Sequence, residues 1–159
     1  MNNVVVDIAD MKYSNDPNDV VVTYSLGSCL GLSIYDPVTK IGGIIHCMLP
    51  LSKIDPRKAQ ERPFMFTDTG LPLFLQSLLS NGAKKSNLIV KIAGCSRIMD
   101  DKQLFNIGER NHTVARKILW KNDILISSED VGGTCSRTIF LHIDTGKTFL
   151  RISGNLTEL

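Results

Sequence analysis

The sequence feature that most constrains the fold is a β-hairpin signal over residues 29–49, which read CLGLSIYDPVTKIGGIIHCML. Apolar residues alternate with small ones on both sides of Asp36 and Pro37, as expected for strands with two distinct faces. Asp at the first position of a turn and Pro at the second favour a type I turn. Because four-residue hairpin loops are commonly built around such a turn, we expect two antiparallel strands joined by residues 36–39.

The register of this hairpin decides which side chains can react with each other. If residues 36–39 form the loop, Cys29 faces His46 across the two strands. The Cβ atoms of directly opposed residues lie about 4.5–5.5 Å apart, a separation from which a thiol and an imidazole can meet. A five-residue loop would instead place Cys29 opposite Cys47. Both registers remain open, as does the interpretation of Cys29 and His46 as ordinary core residues.

Glycines on both strands favour the reactive interpretation. Gly27 and Gly31 flank Cys29, and two further glycines lie close before His46. Such small residues would leave a bare surface whose backbone N–H groups could bind an incoming carbonyl oxygen. The alternative is the close packing of a helix against a glycine-rich sheet.

A paired cysteine and histidine would supply nucleophilic catalysis. The thiolate is the nucleophile, and His46 could accept the thiol proton and later give it to a leaving amine. Water would then hydrolyse the thioester. A third group usually orients the imidazole, and Thr23 and Ser25 on the preceding strand are polar candidates. Cys47 points away from His46 in an alternating strand, so we expect it to be buried and inert.

The rest of the chain predicts an α+β fold. Apolar residues at helical spacing predict one helix after residue 66 that ends near Asn81, and a second over about 107–121. Alternating or continuous apolar runs predict strands over about 3–9, 19–26, 29–35, 41–49, 87–95 and 123–130, with a final hairpin around Thr145 and Gly146. We therefore expect a layered domain with mixed, mostly antiparallel sheets and two main helices. The polar residues 50–63 are expected to form a long loop, functional or mobile.

Composition and charge narrow the function classes. A formal charge of +2 makes nucleic acid an unlikely partner. No basic, apolar leader begins the chain and no apolar run approaches the roughly 20 residues that span a bilayer, so we expect a cytoplasmic protein without membrane insertion. The four cysteines occur singly and the three histidines lack metal-ligand spacing, which argues against a zinc site.

Six ordered segments resemble the CheD family of bacterial chemoreceptor glutamine deamidases. The strongest are LGSC at 26–29 and DPVTKIGGIIHCMLP at 36–50. The others, in chain order, are FTDTG at 66–70, KIAG at 91–94, NIGERN at 106–111 and DVGGTCSR at 130–137. The resemblance runs from about residue 4 to residue 153, so it implies a single CheD-like domain over residues 1–159 with an α/β/β layered sandwich.

The resemblance also implies roles for particular residues. The family's nucleophile falls on Cys29, its general acid and base on His46, and the threonine of its triad-like site on Thr23. Gly27 and Ser28 are expected to bind the substrate. Family members hydrolyse selected glutamine side chains of methyl-accepting chemoreceptors to glutamate, without a cofactor or metal, and many bind the phosphatase CheC. The glycines at 132–133 and the segment 106–108 are expected to line or support the site.

Two other functions stay open at this point. The chain could act mainly as a regulatory binding partner of CheC and of receptors, with catalysis secondary. It could also be a general thiol protease or a transglutaminase-like enzyme, which shares the first chemical steps but differs in the nucleophile that resolves the thioester. Intact Cys29, His46 and Thr23 favour the deamidase.

Overall fold

The computed structural model describes residues 1–97 and 105–159, which form two five-stranded sheets and a helical layer. The strands are β1 (Asn2–Val5), β2 (Asp10–Ser14), β3 (Asp19–Leu26), β4 (Leu30–Asp36), β5 (Ile41–Cys47), β6 (Ile89–Gly94), β7 (Ile126–Val131), β8 (Arg137–His142), β9 (Thr148–Ile152) and β10 (Asn155–Glu158). The α-helices of the described residues are α1 (Pro56–Glu61), α2 (Thr67–Ser80) and α3 (Ile107–Lys121).

Each sheet combines antiparallel pairs with one parallel pair. The first sheet has the order β1-β3-β8-β9-β10, and the second has the order β2-β5-β4-β6-β7. The parallel pairs are β1 with β3 and β6 with β7, and the remaining neighbours run antiparallel. The expectation of mixed, mostly antiparallel sheets is confirmed.

The second sheet is the middle of three layers. Every residue of β4 and β5 is buried, so both faces of these strands carry apolar side chains. Ile45 packs on one face of the sheet against α2 and α3, whereas Ile44 packs on the other face against the first sheet. Each such apolar side chain stabilises the fold by about 1.5–3 kcal/mol. The predicted α/β/β sandwich with two main helices is confirmed.

The polar segment 50–63 is not the long loop that its composition suggested. It contains a short 3₁₀ turn over Ser52–Ile54 and the helix α1. Asp55 caps this helix by accepting a hydrogen bond from the backbone N–H of Lys58 at 3.1 Å, and Pro56 occupies the first helical position. The helix was missed because only Ala59 of its residues is buried, so the segment carries little apolar periodicity.

Two strands at the margins of the sheets were also missed. β2 and β10 each lie at the edge of a sheet, and most of their residues are exposed or half-buried polar ones. Helix α3, in contrast, has the predicted bounds. An amphipathic helix can be predicted from its own apolar periodicity. An edge strand forms because it pairs with a neighbouring strand, which its own sequence does not show.

Candidate active site

The hairpin of β4 and β5 has a register that differs from the predicted one. Asp36 faces Ile41, Leu30 faces Cys47, and Gly31, not Cys29, faces His46. The prediction that Cys29 and His46 are directly opposed is therefore wrong, and so is the alternative that pairs Cys29 with Cys47.

The loop has the expected four residues but begins one residue later than predicted. Asp36 remains in the strand, where its side chain accepts hydrogen bonds from the backbone N–H groups of Val38 at 2.8 Å and Thr39 at 3.2 Å. A third bond, from the N–H of Lys84 at 2.8 Å, holds the same carboxylate from outside the hairpin. The aspartate closes the turn as the last strand residue, and this contact with Lys84 could not be seen in the local pattern.

Cys29 still belongs to the same side of the second sheet as His46. It lies in the short turn between β3 and β4, half-buried, and packs against the apolar cluster between the two sheets. Cys29 lies two residues before Gly31, the residue that faces His46 in the hairpin. Gly31 places no side chain between them; a Cβ there would lie 2.4 Å from Cδ1 of Leu26.

Thr23 and His46 meet directly across the space between the sheets. The Oγ1 of Thr23 lies 2.7 Å from Nδ1 of His46, and its own hydrogen is donated to the carbonyl oxygen of Val6 at 2.8 Å. Because a hydroxyl has one hydrogen, Thr23 accepts the bond from the imidazole. This assigns the proton to Nδ1 and leaves a lone pair on Nε2.

The unprotonated nitrogen of His46 is available for chemistry. His46 is 1% exposed, and its Nε2 makes no hydrogen bond with any residue in the described ranges. Burial lowers the pKa of His46 to about 4, against a smaller opposing effect of Asp7. The imidazole is therefore neutral near pH 7 and can accept a proton at Nε2.

Two other thiols lie on the opposite face of the second sheet. Cys47 and Cys95 are buried in the apolar cluster beneath α2 and α3. Burial raises the pKa of Cys47 strongly and that of Cys95 to about 12. Since the thiolate is the reactive form, a raised pKa disfavours reaction of both thiols near neutral pH. The prediction that Cys47 is buried is confirmed.

The turn that carries Cys29 is anchored through its backbone carbonyls. The carbonyl oxygen of Gly27 accepts a bond from the N–H of Ser96 at 2.9 Å, and that of Cys29 accepts one from the N–H of Cys95 at 2.8 Å. Ser28 is anchored by a side chain, because Nδ2 of Asn111 donates to its carbonyl oxygen at 3.1 Å. All three peptide carbonyls of the turn are thus held by protein groups.

Arg137 supports this anchor from beneath. Its side chain is buried, donates to Asp130 at 2.8 Å, and donates to Oγ of Ser96 at 2.8 Å and to the carbonyl of Gly94 at 3.2 Å. The segment that binds the turn of Cys29 is therefore itself fixed by a charged hydrogen-bond network.

A cavity of about 260 Å³ adjoins the turn at Ser28. Its walls include Asn106, Ile107 and Gly108 at the start of α3 and the Gly132–Gly133 turn, the two segments expected to line or support the site. Gly108 allows α3 to approach closely, because a Cβ there would lie 2.4 Å from the carbonyl oxygen of Ser96. The start of α3 is thus seated tightly against the backbone of Cys95 and Ser96 at the wall of this cavity.

Asn111 and Ser96 are the residues that sequence reasoning missed. A signal for Asn111 was present: it shares a buried stripe of α3 with Gly108, Ala115 and Leu119. A polar residue on an apolar helix face must have hydrogen-bond partners, so its position alone indicated a structural contact of consequence.

Two further features concern metal ligands and membrane-spanning helices. No described residues bring three or more His, Cys, Asp or Glu side chains together as a metal would require. None of the helices within residues 1–97 and 105–159 has the length and apolar character needed to cross a membrane.

Comparison with known proteins places the chain in context. The family model described as CheD chemotactic sensory transduction matches residues 48–152. The protein named probable chemoreceptor glutamine deamidase CheD 1 from Syntrophus aciditrophicus (strain SB) is 49% identical over 160 residues, covering 100% of both chains. The probable chemoreceptor glutamine deamidase CheD of Solibacter usitatus (strain Ellin6076) is 46% identical over 159 residues, covering 100% of this chain and 94% of the relative.

One solved structure shows a weaker likeness. The crystal structure of the Bacillus licheniformis hypothetical protein YfiH superposes with a TM-score of 0.47 at 16% identity, covering 79% of this chain and 50% of that one. Thr23, Cys29 and His46 lie before the stretch that the family model matches, but within the full-length alignments with the two relatives.

Proposed function

The chain belongs to the CheD family, and on that premise we propose that it is a cytoplasmic cysteine hydrolase that deamidates glutamine side chains of methyl-accepting chemoreceptors. The relatives are named as chemoreceptor glutamine deamidases. The observation that carries the proposal is the buried Thr23–His46 hydrogen bond, which leaves Nε2 of a neutral imidazole on the side of the sheet where Cys29 lies.

The reaction begins with proton transfer from the Cys29 thiol to Nε2 of His46. The thiolate attacks the side-chain carbonyl carbon of the glutamine, and the tetrahedral intermediate collapses when His46 gives that proton to the departing ammonia. The acyl group is then held on Cys29 as a thioester. Water, deprotonated at Nε2, attacks the thioester and releases glutamate and the regenerated thiol.

Thr23 has a positioning role in this scheme. By accepting the Nδ1 hydrogen it fixes both the tautomer and the plane of the imidazole. A hydroxyl that already donates elsewhere stabilises a positive imidazolium less than a carboxylate would, which agrees with the lowered pKa of His46. We therefore assign His46 the role of a neutral base at the start of each step.

Gly27 and Ser28 are proposed to bind the substrate carbonyl through their shared peptide. The carbonyl of Gly27 points toward Ser96. Because a trans peptide directs C=O and N–H in opposite directions, the N–H of Ser28 points away from that anchor. A fixed backbone donor of this kind can stabilise the oxyanion of the tetrahedral intermediate.

A mass measurement tests the function. Purified protein is incubated with the signalling fragment of a methyl-accepting receptor, and peptide mapping is expected to show the mass increment of deamidation at particular glutamines. Cys29→Ala should abolish the increment while keeping the fold, and Cys135→Ala, a matched change at another half-buried thiol, should not. Deamidation by folded Cys29→Ala would overturn the proposal.

A further inference from the structure

Asn111 is a fully buried side chain whose two amide hydrogens and carbonyl oxygen all take part in hydrogen bonds. Its Nδ2 donates one hydrogen to the carbonyl of Ser28 and the other to the carbonyl of Met48, each at 3.1 Å. Its Oδ1 accepts a bond from Oγ1 of Thr67 at 3.0 Å. Because both carbonyls can only accept, the orientation of the amide is unambiguous.

The two carbonyls belong to the two halves of the candidate site. Ser28 directly precedes Cys29, and Met48 follows His46 by two residues at the end of β5. One planar amide on α3 therefore joins the turn that carries the thiol to the strand that carries the imidazole. The turn lies outside β4, so the strand ladder does not fix it; it is held by this side-chain bond together with the backbone bonds from Ser96 to Gly27 and from Cys95 to Cys29.

The bond to Ser28 also sets the direction of a peptide plane. The carbonyl of Ser28 is held toward α3 by Asn111, so the remainder of that trans peptide, which continues into Cys29, is turned toward the other side. Cys29 packs on that other side, against the cluster between the sheets. The contact with the helix thus fixes the orientation of the peptide that leads into Cys29.

We propose that Asn111 is a positioning residue that sets the placement of Cys29 relative to His46, an inference that rests on the proposed function. Its amide holds Ser28 and Met48 at a fixed separation, and Thr67 at the start of α2 holds the amide in turn. All of these contacts lie on the helical side of the second sheet, whereas the reacting groups lie on the side facing the first sheet. Asn111 acts through the backbone and does not touch the substrate.

The test uses Asn111→Ser, which keeps a small polar side chain but cannot reach both carbonyls, and Asn111→Asp, which keeps the shape but removes the two donors. The matched control is Ser33→Ala. It removes another buried hydrogen bond, from Ser33 to Thr148 at 3.2 Å, in the strand that follows the turn. Circular dichroism and melting temperature identify variants that remain folded.

The first readout is the alkylation rate of Cys29 by iodoacetamide, followed by peptide mass spectrometry, with the half-buried Cys135 as internal reference. The second is kcat and KM for the receptor fragment. Asn111→Ser is expected to slow Cys29 alkylation and lower kcat by about 10- to 100-fold with little change in KM, because small displacements of reacting groups carry losses of that order. Ser33→Ala should lower the melting temperature comparably and leave both rates unchanged.

Folded Asn111→Ser with wild-type alkylation and kcat would overturn the proposal, as would equal kinetic losses in Ser33→Ala. If Asn111→Ser does not fold, the same comparison is made with Asn111→Asp, and with Thr67→Ser as a conservative variant that keeps the hydroxyl and should retain activity. The alkylation readout needs no receptor. A slowed Cys29 in a protein without deamidase activity would therefore support the positioning role while contradicting the proposed function.

Discussion

The two faces of strand β5 place chemically capable side chains in opposite situations. His46 projects between the sheets. Its Nδ1 is hydrogen-bonded to Thr23, and its Nε2 has no hydrogen-bond partner among the described residues. Cys47, the next residue, projects beneath the helices, where burial raises its pKa. Both are buried, so burial alone does not distinguish the proposed base from a thiol whose pKa is raised. The separation comes from the partner that each face supplies.

The three cysteines of the second sheet extend this comparison. Cys47 and Cys95 face the helical layer, whereas Cys29 lies in a turn at the end of β4 and faces the first sheet. Cys47, within β5, and Cys95, directly after β6, are enclosed by the helical layer. A thiol in the turn that precedes a strand keeps contact with the outside, as the half-buried state of Cys29 shows.

The largest expected effect is the difference in kcat between alanine substitutions of Cys29 and of Cys47. Cys29→Ala should lower kcat by at least about 10⁴-fold, since removal of a nucleophile leaves only binding and oxyanion stabilisation. Cys47→Ala should keep near wild-type kcat and lose about 1–3 kcal/mol of unfolding free energy through lost packing. Steady-state kinetics and urea denaturation check the pair, and a catalytic loss in Cys47→Ala greater than in Cys29→Ala would reverse the comparison.

The second prediction concerns removal of the hydrogen bond between Thr23 and His46. Thr23→Val keeps the shape of the side chain but cannot accept the Nδ1 hydrogen, and kcat should fall by about 10- to 100-fold as the tautomer and ring plane are released. Thr148→Val, a matched change at another buried threonine of the first sheet, should leave kcat unchanged. Equal kcat values for the two variants would show that the contact with His46 has no role.

The third effect is a pH dependence of stability. The pKa of His46 is about 4 in the folded state and 6.5 in the reference state, so the neutral imidazole is present in both states above pH 6.5. As pH falls from 6.5 to 4 the unfolded state binds the proton first, and the folded state loses about 3 kcal/mol relative to it. His46→Gln should lack this loss. Denaturation at pH 7, 5 and 4 compares the two, and parallel curves would contradict the buried neutral state.

The smallest effect concerns a thiol that belongs to neither face. Cys135 is half-buried and lies in the turn before β8. Its carbonyl oxygen, not its thiol, accepts the bond from Ser96 at 2.6 Å. Cys135→Ala should therefore change unfolding free energy by less than about 0.5 kcal/mol and leave kcat unaltered. A large kinetic loss would mean that a thiol outside the proposed pair takes part.

The layers of the fold and the types of residue at the candidate site could be predicted from the sequence. The register of the hairpin of β4 and β5 could not. The hairpin turn was recognised from Asp36 and Pro37, yet the loop was placed one residue early. The contact that holds Asp36 in the strand comes from Lys84, far along the chain. A one-residue error of this kind moves every opposed pair. Cys29 and His46 are not directly opposed, but Cys29 lies two residues from Gly31, the residue opposite His46, and packs on the side of the sheet where His46 lies.

The residues that hold the turn of Cys29 could not be predicted from local sequence patterns, for a different reason. Asn111, Ser96 and Arg137 hold the turn of Cys29 through contacts between segments far apart in the chain. Periodicity predicts which face of a helix is buried, but it does not tell which carbonyl a buried amide will find. A polar residue on a buried helix face indicates that such a contact exists, and Asn111 is such a residue.

The relative reactivity of the three thiols tests the central claim most directly. Folded protein is treated with iodoacetamide at pH 7 and the modification of Cys29, Cys47 and Cys95 is followed by peptide mass spectrometry. We predict that Cys29 reacts at least about 100-fold faster than the other two, and that His46→Gln removes most of that advantage without unfolding the protein. A Cys29 rate that His46→Gln leaves unchanged, or a faster reaction at Cys47 or Cys95, would contradict the account.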